Sequence, residues 1–383
     1  MRPATFAGSL LLLVAAGLTP PVAAELPPGR GALLPVQDRV GAARFAGLTE
    51  TLLRRELEPL RDLAASDAAR AVLRSLRIRD AGSESPERLA ALADRLGAEW
   101  FFLATLHEAR SGRRSARDGG GTPTDSDFDD AGELPLVVLS ALVLRPDSEE
   151  LWWAGFHAAS GLEGRGAFGR GGIETLDELV ATAVRALVAA ADGPEASQER
   201  TRLRRRKGGF LRASHEPSPP GRVAVIPMDS AAVTTPGASA AVATAALLAA
   251  LEDFGFKALL PGLVRTIRQQ SGQGQHGAAS RSEWEALARE GGAKWVATGT
   301  VETYRGGRGG IPDPEVALAV RFLDAADGRI AWLDGLERTG SDTAVVFDRG
   351  RIYTAGGLAY EMMRALFGAM RTGSGNAGTA GGS

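Results

Sequence analysis

Two stretches of the chain show the same succession of apolar and polar patterns. In the second stretch, residues 222–227 form a mostly apolar run of the kind found in buried strands, and residues 240–252 are rich in alanine and leucine, which favours a helix. Residues 316–338 form two strand-like runs joined at an Asp-Gly pair, which is a strong hairpin signal. Residues 352–367 have the amphipathic spacing of a last helix. This order predicts a sheet with an antiparallel hairpin, covered by helices.

The first stretch predicts the same elements in the same order. Its helices are expected at residues 45–57 and 68–76 and directly after Ser85-Pro86. Its later strands are expected at residues 99–106, 136–144 and 149–158. Two capping boxes are also predicted, the first from Thr175 with Glu178 and the second from Ser282 with Glu285.

An internal repeat relates the two stretches. Gly97-Ala98 and Trp100 recur as Gly292-Ala293 and Trp295, and Trp153 recurs as Trp332. The spacing between equivalent residues is constant within each block and falls by 16 between the blocks, which places an insertion in the first copy at residues 113–133. The expected fold class is α/β (α+β), with two tandem similar domains, each a mixed β-sheet with an antiparallel hairpin covered by helices.

The repeat divides the chain into five predicted segments. They are a signal peptide at residues 1–24, a first domain at 25–190, a basic, proline-containing linker at 191–221, a second domain at 222–370 and a disordered tail at 371–383.

The N-terminal segment has the pattern of a secretory signal. Arg2 precedes an apolar stretch over residues 6–18, and Val22-Ala23-Ala24 supplies the small side chains of a cleavage site before Glu25. No later stretch reaches the roughly 18 apolar residues of a spanning helix, so the mature chain is expected to be soluble and periplasmic, with a retained anchor as the alternative. The chain has no cysteine, which excludes disulfides and a lipobox cysteine.

Three motifs of the second copy resemble CsgG-like envelope domains. They are residues 223–227 (VAVIP), residues 292–300 (GAKWVATGT) and residues 320–324 (VRFLD) followed by Asp327-Gly328. Such domains occur in the curli secretion lipoprotein and in LpoB-type activators of penicillin-binding proteins, and they are similar to the N-terminal domain of TolB. The resemblance implies a noncatalytic α/β domain used for docking in the periplasm or at the outer membrane. The loops at residues 113–133 and 306–313 lack the alternating strands of a pore.

The sequence gives little support for catalysis, a cofactor or a metal. The histidines His107, His157, His215 and His276 lack ligand spacing, and we expect them to be surface residues, although His107 and His157 could approach each other across the first sheet. The glycine motif at residues 164–169 lies too far before the next helix to bind a nucleotide. The net charge of -2 gives no bulk attraction to nucleic acid.

Two features are candidate partner-binding sites. Trp152 is adjacent to Trp153 on a strand, so the two side chains should face opposite sides of the sheet, with Trp152 either an exposed interface anchor or buried under a helix. The basic run Arg204, Arg205, Arg206 and Lys207 could hold an anionic partner or be a solvated linker.

The sequence therefore predicts a non-catalytic periplasmic accessory protein for cell-envelope assembly or secretion. It would present two similar sheet faces to envelope or outer-membrane proteins, among them peptidoglycan-associated machinery, and would bind no nucleic acid. An exported enzyme and a ligand or glycan receptor, each with a site in the interdomain groove, are the alternatives. The oligomeric state is left open.

Overall fold

The computed structural model describes residues 25–111, 135–162, 172–173, 175–193, 221–232, 236–272, 280–306, 313–343 and 351–373. These residues form two sheets and the helices that cover them. Of the helices in these ranges, none combines the length and the apolar character needed to cross a bilayer.

The first sheet and its helices form the N-terminal unit. Its elements are β1 (Gly31–Leu33), β2 (Gln37–Asp38), α1 (Ala43–Leu57), α2 (Ser66–Ser75), α3 (Pro86–Leu96), β3 (Trp100–Arg110), β4 (Leu136–Leu144), β5 (Leu151–Ser160) and α4 (Leu176–Asp192). The strand order is β1-β3-β4-β5, with β2 also paired to β3. The pairs β3–β4 and β4–β5 are antiparallel, whereas β1 and β2 are parallel to β3.

The second sheet and its helices form the C-terminal unit. Its elements are β6 (Arg222–Val225), β7 (Asp229–Ser230), α5 (Pro236–Asp253), β8 (Lys257–Ala258), α6 (Pro261–Gln270), α7 (Arg281–Gly291), β9 (Trp295–Arg305), β10 (Glu315–Asp324), β11 (Ile330–Thr339) and α8 (Ala355–Gly373). The order β11-β10-β9-β6, with β7 paired to β9, repeats the first sheet, and β8 is added beyond β6.

The predicted fold class is confirmed, since the described chain is mixed α/β with two mixed sheets. The units also share local irregularities. The β3–β4 and β9–β10 ladders shift register at His107 and Glu302, and the β4–β5 and β10–β11 ladders shift at Trp152 and Ala331. The domain boundaries and the linker remain predictions.

One of the two predicted capping boxes lies at a different position in the structure. At α4, the Thr175 hydroxyl accepts a hydrogen bond from the backbone N–H of Glu178, at the position predicted. At α7, the capping box is formed by Ser280 and Glu283, so the predicted pair Ser282 and Glu285 is wrong by two residues. The earlier start buries Glu283, whose side chain also contacts Arg268.

Each sheet has a front face, which carries the repeated tryptophans, and a back face on the opposite side. The front face of the first sheet packs on α1 and α4, and the front face of the second packs on α5 and α8. Helices α5 and α8 also cover part of the back face of the first sheet. There the Phe156 and Tyr360 rings lie 5.4 Å apart, and Gly356 of α8 lies against Val138. The two units therefore share one hydrophobic core.

The position of α5 between the sheets explains its composition. Residues 246–251 of this helix are all buried, whereas α1, its equivalent in the first unit, exposes Thr51 and Arg55 to solvent. A helix covered on both sides must be apolar around its circumference, while a helix with one free side is amphipathic. The alanine- and leucine-rich sequence of α5 thus encodes the contact between the units as well as the helix.

Polar contacts also join the units. The backbone N–H of Leu260 donates to the carbonyl of Glu149 at 2.8 Å, and Arg222 lies 2.8 Å from the carboxylate of Glu149. At another point of the junction, Tyr304 of β9 donates to Glu108 of β3 at 2.6 Å. These bonds fix the lateral position of one sheet against the other.

Candidate functional site

A cavity of about 830 Å³ lies between the back face of the first sheet and helix α5. This volume is in the range of small-molecule sites. Strand β2 and the segment that contains β7 line it from opposite units. The interdomain groove that the receptor and enzyme hypotheses require is therefore open, and polar groups line part of it.

Small side chains on α5 leave this space unfilled. Gly237, Ala240, Ala241 and Ala245 face the cavity, and Leu248 lines it further along the same helix. Protein interiors are usually packed to crystal-like density, so a run of small residues opposite a sheet leaves a gap unless larger side chains come from the other side. Here the sheet contributes the small residues Thr105, Ser140 and Gly155 beside Leu103, His107 and Leu142, and these side chains together do not fill the space.

Asp80 forms the polar wall on the N-terminal side. Its carboxylate accepts hydrogen bonds from the Gln37 amide and from the Ser83 hydroxyl, the latter at 2.9 Å. Arg39 adds an ion pair at 3.4 Å, with 54% of its side chain exposed. Three donors thus compensate the negative charge of Asp80, while the Arg39 guanidinium keeps most of its surface free.

His107 lies at the β3 bulge and is buried, with 8% exposure. Its Nε2 is 2.8 Å from the Ser140 hydroxyl. Burial, with a smaller contribution from the nearby Arg39 charge, lowers the pKa of His107 to about 4. The ring is therefore neutral at physiological pH, and the expectation of a surface histidine at this position is wrong.

The pair formed by His107 and Ser140 differs electrostatically from a catalytic dyad. In the Ser-His-Asp arrangement, a carboxylate stabilises the imidazolium that forms when histidine takes the serine proton. Here burial and the positive charge of the Arg39 guanidinium both disfavour imidazolium. A base whose pKa is about 4 is also too weak to activate a hydroxyl efficiently near neutral pH. The pair is better suited to hydrogen bonding than to nucleophilic catalysis.

The wall on the C-terminal side is held by hydroxyl groups. Thr244 accepts a hydrogen bond from the backbone N–H of Met228 at 2.9 Å, and the Ser230 and Ser239 hydroxyls lie 2.7 Å apart. Asp229 lies between these two contacts in sequence and is exposed. Its neighbours are fixed in place, so its carboxylate is presented at the cavity on a rigid segment.

Trp152 and Trp153 do not face opposite sides of the sheet, as the regular alternation of side chains along a strand had predicted. Trp152 is the extra residue at the β4–β5 register shift, and it packs against the same core cluster that contains Trp153. Its ring is half-buried, its Nε1–H donates to the carbonyl of Glu25 at 2.7 Å, and the Arg145 guanidinium lies 5.2 Å from its ring centroid. A bulge interrupts the period of two, which explains the failure of the prediction.

The other predicted site residues are not brought together. His157 pairs with Leu139 on the front face, so it lies across the sheet from His107 and the two do not meet. Within the described ranges, no group of three or more potential ligands could hold a metal ion. Arg204, Arg205, Arg206 and Lys207, together with His215 and His276, lie outside the described residues.

The back face of the second sheet differs from that of the first, which is the face covered by α5 and α8. Four pairs of equivalent positions show the difference. The residue of the first sheet is given first in each pair: Leu103/Thr298, Leu142/Arg321, Phe156/Gly335 and Ala158/Glu337. The second face is thus more polar at these positions. Helices α6 and α7 cover its β6 end, where they form a separate small core, and Glu337 on β11 is exposed.

Arg39, Asp80, Thr105 and Asp229 had not been singled out from the sequence. They lie far apart in the chain, and each meets the cavity through strand pairing or a loop. One sequence signal for this region is that the repeat aligns His107 with Glu302, so both copies carry a polar residue at this position.

No protein-family model matches the chain, and no curated protein matches it. Among solved structures, the PelC dodecamer from Paraburkholderia phytofirmans shares 17% identity over 43% of this chain and 98% of its own, with a TM-score of 0.28. Lipoprotein GNA1162 from Neisseria meningitidis shares 21% identity over 40% of this chain and 99% of its own, with a TM-score of 0.28. The LpoB C-terminal domain from Escherichia coli shares 18% identity over 31% of this chain and 84% of its own, with a TM-score of 0.24.

At these TM-scores the likeness identifies neither a family nor a function. LpoB, which was named above for its similar sequence motifs, is among these structures. The resemblance to CsgG-like domains remains a prediction.

Proposed function

We propose that the protein is a non-catalytic periplasmic accessory protein for cell-envelope assembly or secretion, and that it acts by docking to envelope or outer-membrane proteins. In this proposal, residues 1–24 direct export, and residues 25–190 and 222–370 are tandem CsgG-like domains. The proposal rests on a comparison between the two sheets of this chain. The back face of the first sheet already binds a helix pair, while much of the equivalent face of the second sheet is free of such helices within the described residues.

The docking surface differs from the one first expected. Two similar sheet faces were predicted, but α5 and α8 already pack on part of the first, so the equivalent face of the second sheet is the proposed docking surface. The proposed surface is the back face of β10 and β11, with Ala319, Arg321, Gly335 and Glu337. Small side chains allow close approach, and the two charges give a partner a fixed orientation. A partner with a flat surface and complementary charges fits this face.

Site-specific photocrosslinking tests the surface. A photoreactive residue at Ala319, on the proposed face, is compared with one at Arg55, which is exposed on α1. We expect an adduct with an envelope protein from Ala319 and none from Arg55. The captured protein, once purified, should bind Ala319→Arg at least about tenfold more weakly than wild type, because a charged side chain there blocks close contact. Equal labelling at both positions, or unchanged affinity, would contradict the proposal.

The same assay also tests the binding residues predicted from the sequence, which are Trp152, Arg204, Arg205, Arg206 and Lys207. Trp152→Ala and neutralisation of residues 204–207 are compared with wild type for capture of the same protein. Loss of capture with either change would move the docking site to that region.

A ligand receptor is the second candidate function, and the open cavity between the units favours it. Its polar groups come from both units, so a bound molecule would contact both.

A further inference from the structure

We propose that the cavity between the units binds a short zwitterionic peptide, with its carboxylate at Arg39 and its ammonium group at Asp229. Both residues line the cavity, Arg39 from the N-terminal unit and Asp229 from the C-terminal unit. A molecule with opposite charges at its two ends matches walls with opposite charges. The proposal concerns a different surface from the docking face on β10 and β11.

Arg39 has binding capacity that its present partner does not use. Its contact with Asp80 is at 3.4 Å, and 54% of the side chain is exposed. Asp80 also accepts from Gln37 and Ser83 and so does not depend on Arg39 alone. A guanidinium has five N–H donors arranged for bidentate binding of a carboxylate. The remaining donors of Arg39 are therefore available to a ligand carboxylate.

Asp229 offers the opposite charge. Among the described residues, no ion pair and no side-chain hydrogen bond involves its carboxylate, which is exposed at the cavity. Its backbone is held in β7 by pairing with Thr300 of β9. Arg39 and Asp229 are not paired with each other, since no ion pair between them is formed within 4.0 Å. A ligand that carries both an anionic and a cationic group can contact both side chains at once.

The space between these charges suits a peptide backbone with apolar side chains. Thr105 faces the cavity with a hydroxyl that makes no hydrogen bond to another described residue, and the neutral His107 is beside it. Leu142, Leu248 and Met228 supply apolar surface. The uncharged polar groups in the middle of the cavity suit the amide bonds of a peptide, and the apolar surface around them suits its side chains. The charges at the two ends of the cavity suit its termini.

The charge balance disfavours other ligand classes. With His107 neutral, the titratable lining groups are one guanidinium and two carboxylates, Asp80 and Asp229. A phosphate or another polyanion would meet two like charges for one opposite charge. A neutral sugar would form no ion pair with either Arg39 or Asp229. The zwitterion is the class that uses both.

Calorimetry and saturation-transfer NMR with defined probes test the proposal. The probes are the dipeptides Ala-Ala, Ala-Leu and Ala-Phe, the blocked N-acetyl-Ala-Leu-amide, and glucose. The proteins are the mature chain, Arg39→Gln, Asp229→Asn, the cavity-filling Ala241→Leu, and Arg55→Gln as a control on exposed α1. Circular dichroism and melting first establish that each variant is folded.

We expect at least one free dipeptide to bind, with the blocked peptide and glucose at least about fivefold weaker. Arg39→Gln and Asp229→Asn should each weaken binding by a similar factor, Ala241→Leu should abolish it, and Arg55→Gln should leave it unchanged. The proposal is overturned by absence of dipeptide binding, by equal binding of the blocked peptide or glucose, or by binding that either charge variant leaves unchanged. The cavity contains no residue of β10 or β11, so this test and the docking test fail independently.

Discussion

The hydroxyl of Tyr304 on β9 donates a hydrogen bond to Oε1 of Glu108 on β3, and this 2.6 Å contact joins the two sheets. Burial, together with the adjacent Glu108 charge, raises the pKa of Tyr304 well above its ordinary value, so the phenol stays protonated and remains a donor. The bond spans 196 positions of sequence and makes the two units dependent on each other.

We expect Tyr304→Phe to lower the free energy of unfolding by about 1–2 kcal/mol, because the partly buried Glu108 carboxylate loses a donor. Urea denaturation measures the change. A double-mutant cycle with Glu108→Ala, which removes the acceptor, separates the bond from other effects. A coupling energy of zero would show that the contact does not stabilise the fold.

A second prediction concerns pH and Glu252, near the C-terminus of α5. Burial raises the pKa of Glu252 to about 7 from 4.5, against the opposing effect of Lys257 at 4.0 Å. The folded state therefore holds this proton more tightly than the unfolded chain does. The resulting stabilisation is complete below the unfolded pKa of 4.5 and is lost as the pH rises through about 7.

We accordingly expect Glu252→Gln to be more stable than wild type at about pH 8, and to show a smaller fall in stability between about pH 5 and about pH 8. Urea midpoints at both pH values measure this. Burial also raises the pKa of Asp253 to about 6, so some pH dependence of the same sign should persist in the variant. Identical pH dependence in both proteins would refute the role of Glu252.

The third prediction concerns the buried ion pair between Arg268 on α6 and Glu283 on α7. The side chains are 7% and 0% exposed, and Glu283 also accepts from the backbone N–H of Ser280. We expect Glu283→Gln to cost about 3–5 kcal/mol, because it leaves a buried guanidinium without a counter-charge. The control is Glu285→Gln on the same helix, whose exposed pair with Arg281 should contribute less than about 1 kcal/mol.

The double variant Arg268→Met with Glu283→Leu should recover most of that loss, since apolar side chains of similar volume can replace a buried pair. Chemical denaturation of the four proteins provides the comparison. Equal costs for Glu283→Gln and Glu285→Gln would mean that burial of the pair has no energetic consequence.

A fourth prediction concerns Trp152. In Trp152→Phe the indole N–H that binds the Glu25 carbonyl is lost, and the cation–π contact with Arg145 is weakened. We expect a loss of about 1 kcal/mol and faster amide exchange around Leu26, which is buried next to Glu25. Trp284→Phe is a matched control, because the Trp284 Nε1 has no hydrogen-bond partner among the described residues. Unchanged exchange at Leu26 would show that Trp152 does not anchor this segment.

Element positions could be predicted well where the periodicity was strong. The strand predicted at residues 136–144 has those bounds, and α1 and α2 begin and end within two residues of their predicted limits. Gly97 and Gly292, which the repeat aligns, both end helices in the left-handed region, with φ of +59° and +62°. Local patterns and turn chemistry determine these features, so the sequence shows them directly.

The cavity and the bulges could not be predicted in the same way. The bulge at His107 of β3 and the bulge at Trp152 of β5 both arise where these strands pair with β4, and nothing in the local pattern marks them. Arg39 and Asp229 line one cavity only because the two units pack together with α5 between their sheets. The sequence shows the high apolar content of α5. However, a high content of alanine and leucine is expected both for any stable helix and for a helix buried on both sides, so composition alone does not distinguish the two.

The sharing of α5 and α8 between the sheets sets an order of events during biosynthesis. The ribosome makes the N-terminal unit first, and its own helices α1 and α4 can cover one side of its sheet at once. The other side, with Val138 and Phe156, has no cover until the chain has been made beyond Leu251 and α8 has followed. The newly made first half therefore exposes an apolar sheet face for a time, and an exposed face of this kind favours aggregation until the second half has been made.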